Sequence, residues 1–148
     1  MPPVLPHLVL RQIEHGSADY LTAVSLRRRI LRTPLGLDFT AEQLAAEAGD
    51  CLLAAFSDGV VAGTLVLTPG QGAMKLRQMA VAPEACGQGI GSGLVAFAED
   101  WARDKGFRQI VLHARVSAQG FYEKAGYRPE GDVFIEVTIP HIAMAKTL

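Results

Sequence analysis

Two cysteines and one tryptophan are all that the 148 residues hold of those types, and each scarcity excludes something. Cys51 and Cys86 are too few and too far apart for a disulfide framework or for the paired spacing of a zinc site, so no metal is expected. Charge of one sign is also lacking. Fourteen Lys and Arg against 15 Asp and Glu leave a formal net charge of -1, without the basic surplus that nucleic-acid binding needs. No apolar run approaches a membrane span. The start, Met1 to Pro6, lacks the basic end and apolar core of a secretory signal. The expectation is a cytoplasmic protein with neither a nucleic-acid nor a membrane partner. No repeat, low-complexity tract or long linker divides the chain, so residues 1–148 read as a single domain with one sizeable core.

Glycine is concentrated where a ligand loop needs it. An apolar strand through Gln78, Met79, Ala80 and Val81 runs into a turn holding Gly87, Gly89, Gly91 and Gly93, and an amphipathic helix leaves that turn. Glycine lets backbone approach a ligand closely. The first helical turn has amides without intrahelical partners, which favour anions. Strand, turn and helix start read together as a pyrophosphate cradle. A P-loop is excluded because Gly91 is followed by Ser92 and Gly93, with no lysine before Lys105. The dinucleotide fingerprint is excluded because the sixth position is Ser92 counted from Gly87, or Leu94 counted from Gly89.

Residues 8–14 read as a first strand. Ser17 or Asp19 caps a helix carrying Tyr20, Val24 and Ile30, stopped by Pro34 and Gly36. Asp38 or Thr40 caps a second helix ending near Gly49. Residues 51–57 and 60–68 form a hairpin about Asp58-Gly59. In the strand over 73–82, Met74 and Leu76 alternate in one phase and Met79 and Val81 in the other, which predicts a bulge near Arg77-Gln78. Ile90, Leu94, Phe97 and Trp101 mark one face of the next helix, which Gly106 ends. Strand 108–114, a short helix over 118–125 and a final strand pair, 132–139 and 141–147 broken at Pro140, complete the chain. The order β-α-α-β-β-β-α-β-α-β-β describes an α+β, or mixed α/β, architecture.

The glycine loop resembles the acetyl-CoA loop of the GNAT N-acetyltransferases, whose core is Arg/Gln-x-x-Gly-x-Gly/Ala. Gly89 and Gly91 fill the motif glycines, and Cys86 stands where Arg or Gln is usual. Ala118, Tyr122, Gly126 and Tyr127 resemble a second family motif, Ala-x-x-x-Tyr-x-x-x-Gly-Phe/Tyr. Phe134-x-Glu136-x-x-Ile139-Pro140-His141-x-x-Met144, with the segment Leu31–Leu37, is similar to an uncharacterised branch of the family. The resemblance covers nearly the whole chain. It implies a twisted, mostly antiparallel sheet with about four helices, and acetyl-CoA in a V-shaped cleft between the fourth and fifth strands. Cys86, Gly87, Gln88, Gly89, Ile90, Gly91 and Ser92 would hold the pyrophosphate. Gln78, Met79, Ala80 and Val81 would line the pantetheine path, with Phe121 and Tyr122 beside it. The reaction implied is direct attack of a primary amine, of a small molecule or peptide, on acetyl-CoA. A homodimer is a common state of such proteins.

The resemblance gives the Tyr122 hydroxyl the role of proton donor to the departing thiolate, which a phenol can fill at neutral pH. Arg115 replaces the Asn of many relatives. Its readings are the pantetheine arm, an acidic substrate group, or a plain salt bridge. A base is also needed, and His113, Glu136 and His141 are the candidates. Alternation puts His113 on one face with Arg115 and Val111, and histidine has a suitable intrinsic pKa. Cys86, ahead of a helix start, reads as a redox-sensitive thiol or an acyl acceptor, although direct attack needs neither. Cys51 reads as core. Arg27, Arg28, Arg29 and Arg32 read as a solvated helix face or a dock for an acidic substrate. Two further readings stay open: a catalytically silent CoA-binding regulatory domain, and transfer to a hydroxyl or of a longer acyl chain.

Overall fold

The computed structural model describes residues 8–148; the Met1–Pro6 start lies outside the described residues. The elements are β1 (Leu8–Ile13), α1 (Ala18–Leu31), α2 (Ala41–Ala45), β2 (Cys51–Ser57), β3 (Val60–Pro69), β4 (Met74–Val81), α3 (Ile90–Asp104), β5 (Gln109–Arg115), α4 (Gln119–Lys124), β6 (Arg128–Glu136) and β7 (Ile139–Thr147). Among the described residues no helix is long and apolar enough to cross a membrane.

Local chemistry sets most boundaries. Ser17, not Asp19, caps α1 by accepting from the Tyr20 amide. Thr40, not Asp38, caps α2 in a reciprocal box with Gln43. The β2–β3 turn places Asp58 and Gly59 at φ of 50° and 80°, as a two-residue hairpin of this kind requires. On α3 the buried face is Ile90, Leu94, Val95, Ala98 and Ala102, whereas Phe97 and Trp101 are only half-buried at its flank.

The seven strands form one sheet in the order β1-β2-β3-β4-β5-β7-β6. All pairs are antiparallel except β4 with β5. That parallel pair joins only Met74–Leu76 to Ile110–Leu112. Past it the strands separate, because β4 carries the predicted bulge. Thr64 faces Ala80 and Val66 faces Arg77, so Leu65 stands opposite two residues. Gln78 takes a positive φ of 54° to absorb the extra one. The result is the expected V-shaped gap in the middle of the sheet.

Helices cover both faces. Arg115 of β5 bonds the Leu31 carbonyl at the end of α1. Lys146 of β7, across from Ile110, bonds Glu99 of α3. Residues 110 and 115 point to opposite faces, so α1 and α3 lie on opposite sides of the sheet. Gly63 sits under α3: a Cβ there would come within 2.8 Å of Leu94 Cδ1 and 3.0 Å of Ile90 Cγ2. That close approach holds the start of α3 against β3.

The C-terminal pair differs from expectation. The break is not at Pro140. The turn is Val137-Thr138, with φ of 50° and 67°, and Pro140 lies inside β7. Pro140 pairs with Ile135 of β6, while β5 ends at Arg115, opposite His141. The proline therefore extends past the end of β5, where no ladder bond calls for its missing N–H. β6 also begins earlier than expected, at Arg128, and takes up a bulge between Glu130 and Phe134 around Gly131.

Candidate active site

At the head of α3, Gly87 and Gly89 adopt φ of 80° and 76°. The first backbone bond reaching back from the helix is Gly93 N to Gly89 O, at 2.9 Å. Among the described residues none comes from the amides of residues 87–92, and Gly89 caps the helix without any side-chain bond. A row of amides free to face an anion is what the glycine spacing predicts. Gly91 is tightly set: a Cβ there would lie 3.3 Å from the Phe121 ring and 3.5 Å from Met79 Cε. The loop, β4 and α4 thus meet at one point. Cys86 is exposed, its thiol 3.6 Å from the Ala82 carbonyl. Ala80 is buried. Past Leu76, neither Met79 nor Val81 has a β5 partner.

The gap between β4 and β5 opens into a cleft of about 470 Å³. Gln78 and Met79 of the bulge line it, with His113 and Arg115 of β5, Tyr122 of α4, and Glu136 and His141 from the β6–β7 pair. Pairing registers explain the convergence. Arg115 faces His141, His141 faces Phe134, and His113 lies two residues from Arg115. Paired residues share a face, as do residues two apart. His113, Arg115, Phe134, Glu136 and His141 therefore project together, on the α1 side of the sheet.

Their contacts define a cluster. His113 Nδ1 is 2.9 Å from Glu136 Oε1, and His141 Nε2 is 3.8 Å from Glu136 Oε2. Phe134 supports both rings, edge-on to His113 at 5.0 Å and stacked with His141 at 6.2 Å. Burial pushes the Glu136 carboxyl up, but the His113 hydrogen bond and the charges of His113, His141 and Lys75 outweigh it, and the pKa falls below the ordinary value. Glu136 is thus ionised at neutral pH and can only accept, so His113 Nδ1 carries the proton. His141 Nδ1 donates to the Ile139 carbonyl at 2.9 Å by the same logic. In the neutral form of each ring Nε2 is then left with a lone pair, as a proton acceptor needs.

Tyr122 is buried, edge-on to Phe121 at 5.0 Å and to Tyr127 at 5.8 Å. Its hydroxyl has no hydrogen-bond partner among the described residues, and burial pushes its pKa up to about 12. The proton stays on it throughout the range in which proteins work. Arg115 forms no salt bridge among the described residues: its guanidinium donates to the Leu31 carbonyl at 2.9 Å rather than to a carboxylate. Cys51 is half-buried and accepts from Trp101 Nε1 at 3.2 Å.

The chain matches the model of the Acetyltransferase (GNAT) family over residues 20–127. It belongs to that family. It is 28% identical to a Bacillus subtilis protein named as an acetyltransferase, an alignment covering 86% of this chain and 89% of the other. An N-acetyltransferase structure from Lactobacillus plantarum superposes with a TM-score of 0.83 at 24% identity, covering 95% and 98% of the two chains. A Thermoplasma acidophilum N-acetyltransferase solved with coenzyme A superposes with a TM-score of 0.76 at 19% identity, covering 95% and 99%. The GNAT fold expected from the sequence is therefore present, and the family's general activity is acetyl transfer.

Sequence reasoning missed part of the site. The four arginines of α1 and its end do not share a face. Arg27 is 1% exposed and forms two bonds to Glu47, at 2.8 and 2.6 Å. Arg28 pairs with Asp38 and Arg29 with Glu84, while Arg32 lines the cleft. Successive helical residues are turned by about 100°, so a run of arginines scatters. The available signal was the apolar stripe of Tyr20, Ala23 and Val24, which continues through Arg27.

Proposed function

We propose that this chain, as one catalytic unit, transfers the acetyl group of acetyl-CoA to a primary amine of a small molecule or peptide by direct attack of the amine. The observation that carries this reading is the set of unpartnered amides at residues 87–92, set where β4 and β5 part. Those amides would hold the pyrophosphate. Gly91, where a Cβ would press on Phe121 and Met79, keeps the loop close against β4 and α4 at the mouth of the cleft. Backbone of Met79 and Val81, without a β5 partner, would receive the pantetheine amides and polarise the thioester carbonyl. Acetyl-CoA supplies an activated acyl group with a thiolate leaving group. Tyr122 holds a proton at its hydroxyl oxygen for that sulfur. His113 and His141, backed by Glu136, take the proton that the amine gives up. The Glu136–histidine cluster supports turnover over a silent CoA-binding domain, which would need no such base. The branch suggested by the C-terminal motif fits the same reading, since Glu136 and His141 belong to both motif and cluster.

The test is thiol release from acetyl-CoA against a panel of primary amines, with calorimetric titration of coenzyme A alongside. Turnover with at least one amine supports the proposal. Binding without any turnover would favour the silent domain, and no affinity for coenzyme A would remove both. Glu136→Gln should lower kcat about 10- to 100-fold and move the acid limb of its pH dependence to lower pH. Without the carboxylate the histidinium forms lose a counter-charge and the His113 tautomer loses its anchor, while His141 keeps its bond to the Ile139 carbonyl. A pH–rate profile of Glu136→Gln that superposes on that of the wild type would exclude this role.

A further inference from the structure

The cleft has a second pole. Besides Glu136 and the histidines, Arg32, Arg77 and Arg115 line it, each half-buried. Of the seven arginines elsewhere in the chain, Arg11, Arg27, Arg28, Arg29 and Arg103 each meet a carboxylate, and the other two, Arg108 and Arg128, are exposed to solvent. The three in the cleft meet none among the described residues. Arg32 donates to the Leu31 carbonyl and lies over the Phe39 ring at 4.5 Å. Arg115 donates to the same carbonyl. Arg77 has no acceptor among the described residues.

These cations also sense one another. Burial, then the charges of Arg115, Arg27 and Arg77, disfavour the charged form of Arg32 and outweigh the opposing charge of Glu136. Burial does the same to Arg115. Half-buried like charges without a counterion are unfavourable, and an arrangement of this kind fits an anion brought by a ligand. Glu47, the other carboxylate in the lining, is already held bidentately by Arg27. Among the described residues no carboxylate therefore pairs directly with the arginine pole, although Glu136, Glu47 and Asp50 act on it from farther off, in a chain whose formal net charge is -1.

We infer that the acetyl acceptor is an amine that also bears an oxyanion, a carboxylate or a phosphate, and that Arg32, Arg77 and Arg115 bind that oxyanion. This rests on the acetyl-transfer reading. A guanidinium presents paired donors that match either oxyanion. The two poles then suit a zwitterion, with its ammonium toward Glu136 and the histidines and its oxyanion toward the arginines. The inference makes the arginines determinants of specificity, separate from the proton transfers.

The experiment titrates the coenzyme A-loaded protein with acetylated amines, so that binding is read without turnover. The probes are matched pairs: N-acetylglycine, N-acetylphenylalanine and N-acetylmethionine against their carboxamides, and N-acetylphosphoethanolamine against N-acetylethanolamine. The charged member of at least one pair should bind ten-fold or more tightly, and 0.5 M salt should shrink that ratio. The carboxylate and phosphate pairs tell the two oxyanions apart. In Arg77→Gln the ratio should fall to near one; Arg32→Gln, with its melting temperature checked, gives a second reading if Arg77→Gln folds poorly. Equal binding of charged and neutral members, or a preference that survives in both variants, would overturn the inference. Thiol release assayed in parallel separates the cases. Turnover of neutral amines with no charge preference sinks only this inference, whereas failure to bind coenzyme A sinks the acetyl-transfer reading beneath it.

Discussion

Tyr122→Phe should lower kcat for acetyl transfer by about 10²- to 10⁴-fold, the range for removing one positioned proton donor, while the KM for acetyl-CoA changes little. The substitution keeps the ring, and with it the edge-on contacts to Phe121 and Tyr127. It removes only a hydroxyl that has no hydrogen-bond partner among the described residues. Stability should therefore move by about 0.5 kcal/mol or less, since no bond is broken and no partner is orphaned. Burial has raised the pKa to about 12, so the wild-type rate should show no alkaline loss from Tyr122 deprotonation below that value. Steady-state kinetics with thermal unfolding separate the roles. A kcat within three-fold of wild type would leave Tyr122 as a packing residue, and a large loss of stability would show that its hydroxyl bonds something in the fold.

The parts of the site that rest on neighbours in sequence were legible before the structure. The positive φ of Gly87 and Gly89 is a property of residue type and turn. The bulge at Gln78 showed as a slip in alternation because strand period is local. The base cluster was legible only as separate candidates. His113 meets Glu136 because β7 inserts between β5 and β6, against chain order, and no local pattern encodes that insertion. The misplaced turn has a similar cause. Pro140 reads as a breaker until β5 is seen to end beside it, and Val137 and Thr138 are β-branched residues in left-handed conformations that their type disfavours. Strain of that kind, at the rim of the cleft, is imposed by the surrounding strands and is invisible in the residues themselves.

Arg27→Met should be the most destabilising single change around the cleft, at about 3–5 kcal/mol, the usual effect of leaving one member of a buried ion pair behind. Arg27 and Glu47 have side chains 1% and 4% exposed. Tyr20 donates a further bond to Glu47 at 2.7 Å, and Arg27 lies over Phe39 at 4.7 Å. Together they tie α1 to the turn after α2, and so fix one lip of the cleft. Burial alone would push the Glu47 carboxyl up, but its bonds to Arg27 and Tyr20 bring it below the ordinary value. A carboxylate lowered in the folded state adds stability above the unfolded pKa, about 4.3, and loses it as pH falls through the folded value. Without Arg27 burial dominates, the folded pKa lies above the unfolded one, and the sign reverses: stability should decline as pH rises from about 4 toward 7. Denaturant unfolding across that range reads both slopes. The double variant Arg27→Met/Glu47→Leu should recover most of the loss, because a well-packed apolar pair removes the orphaned charge. Were Arg27→Met to keep the wild-type slope, or the double variant to be no better than the single, the ion pair would not be what holds α1 in place.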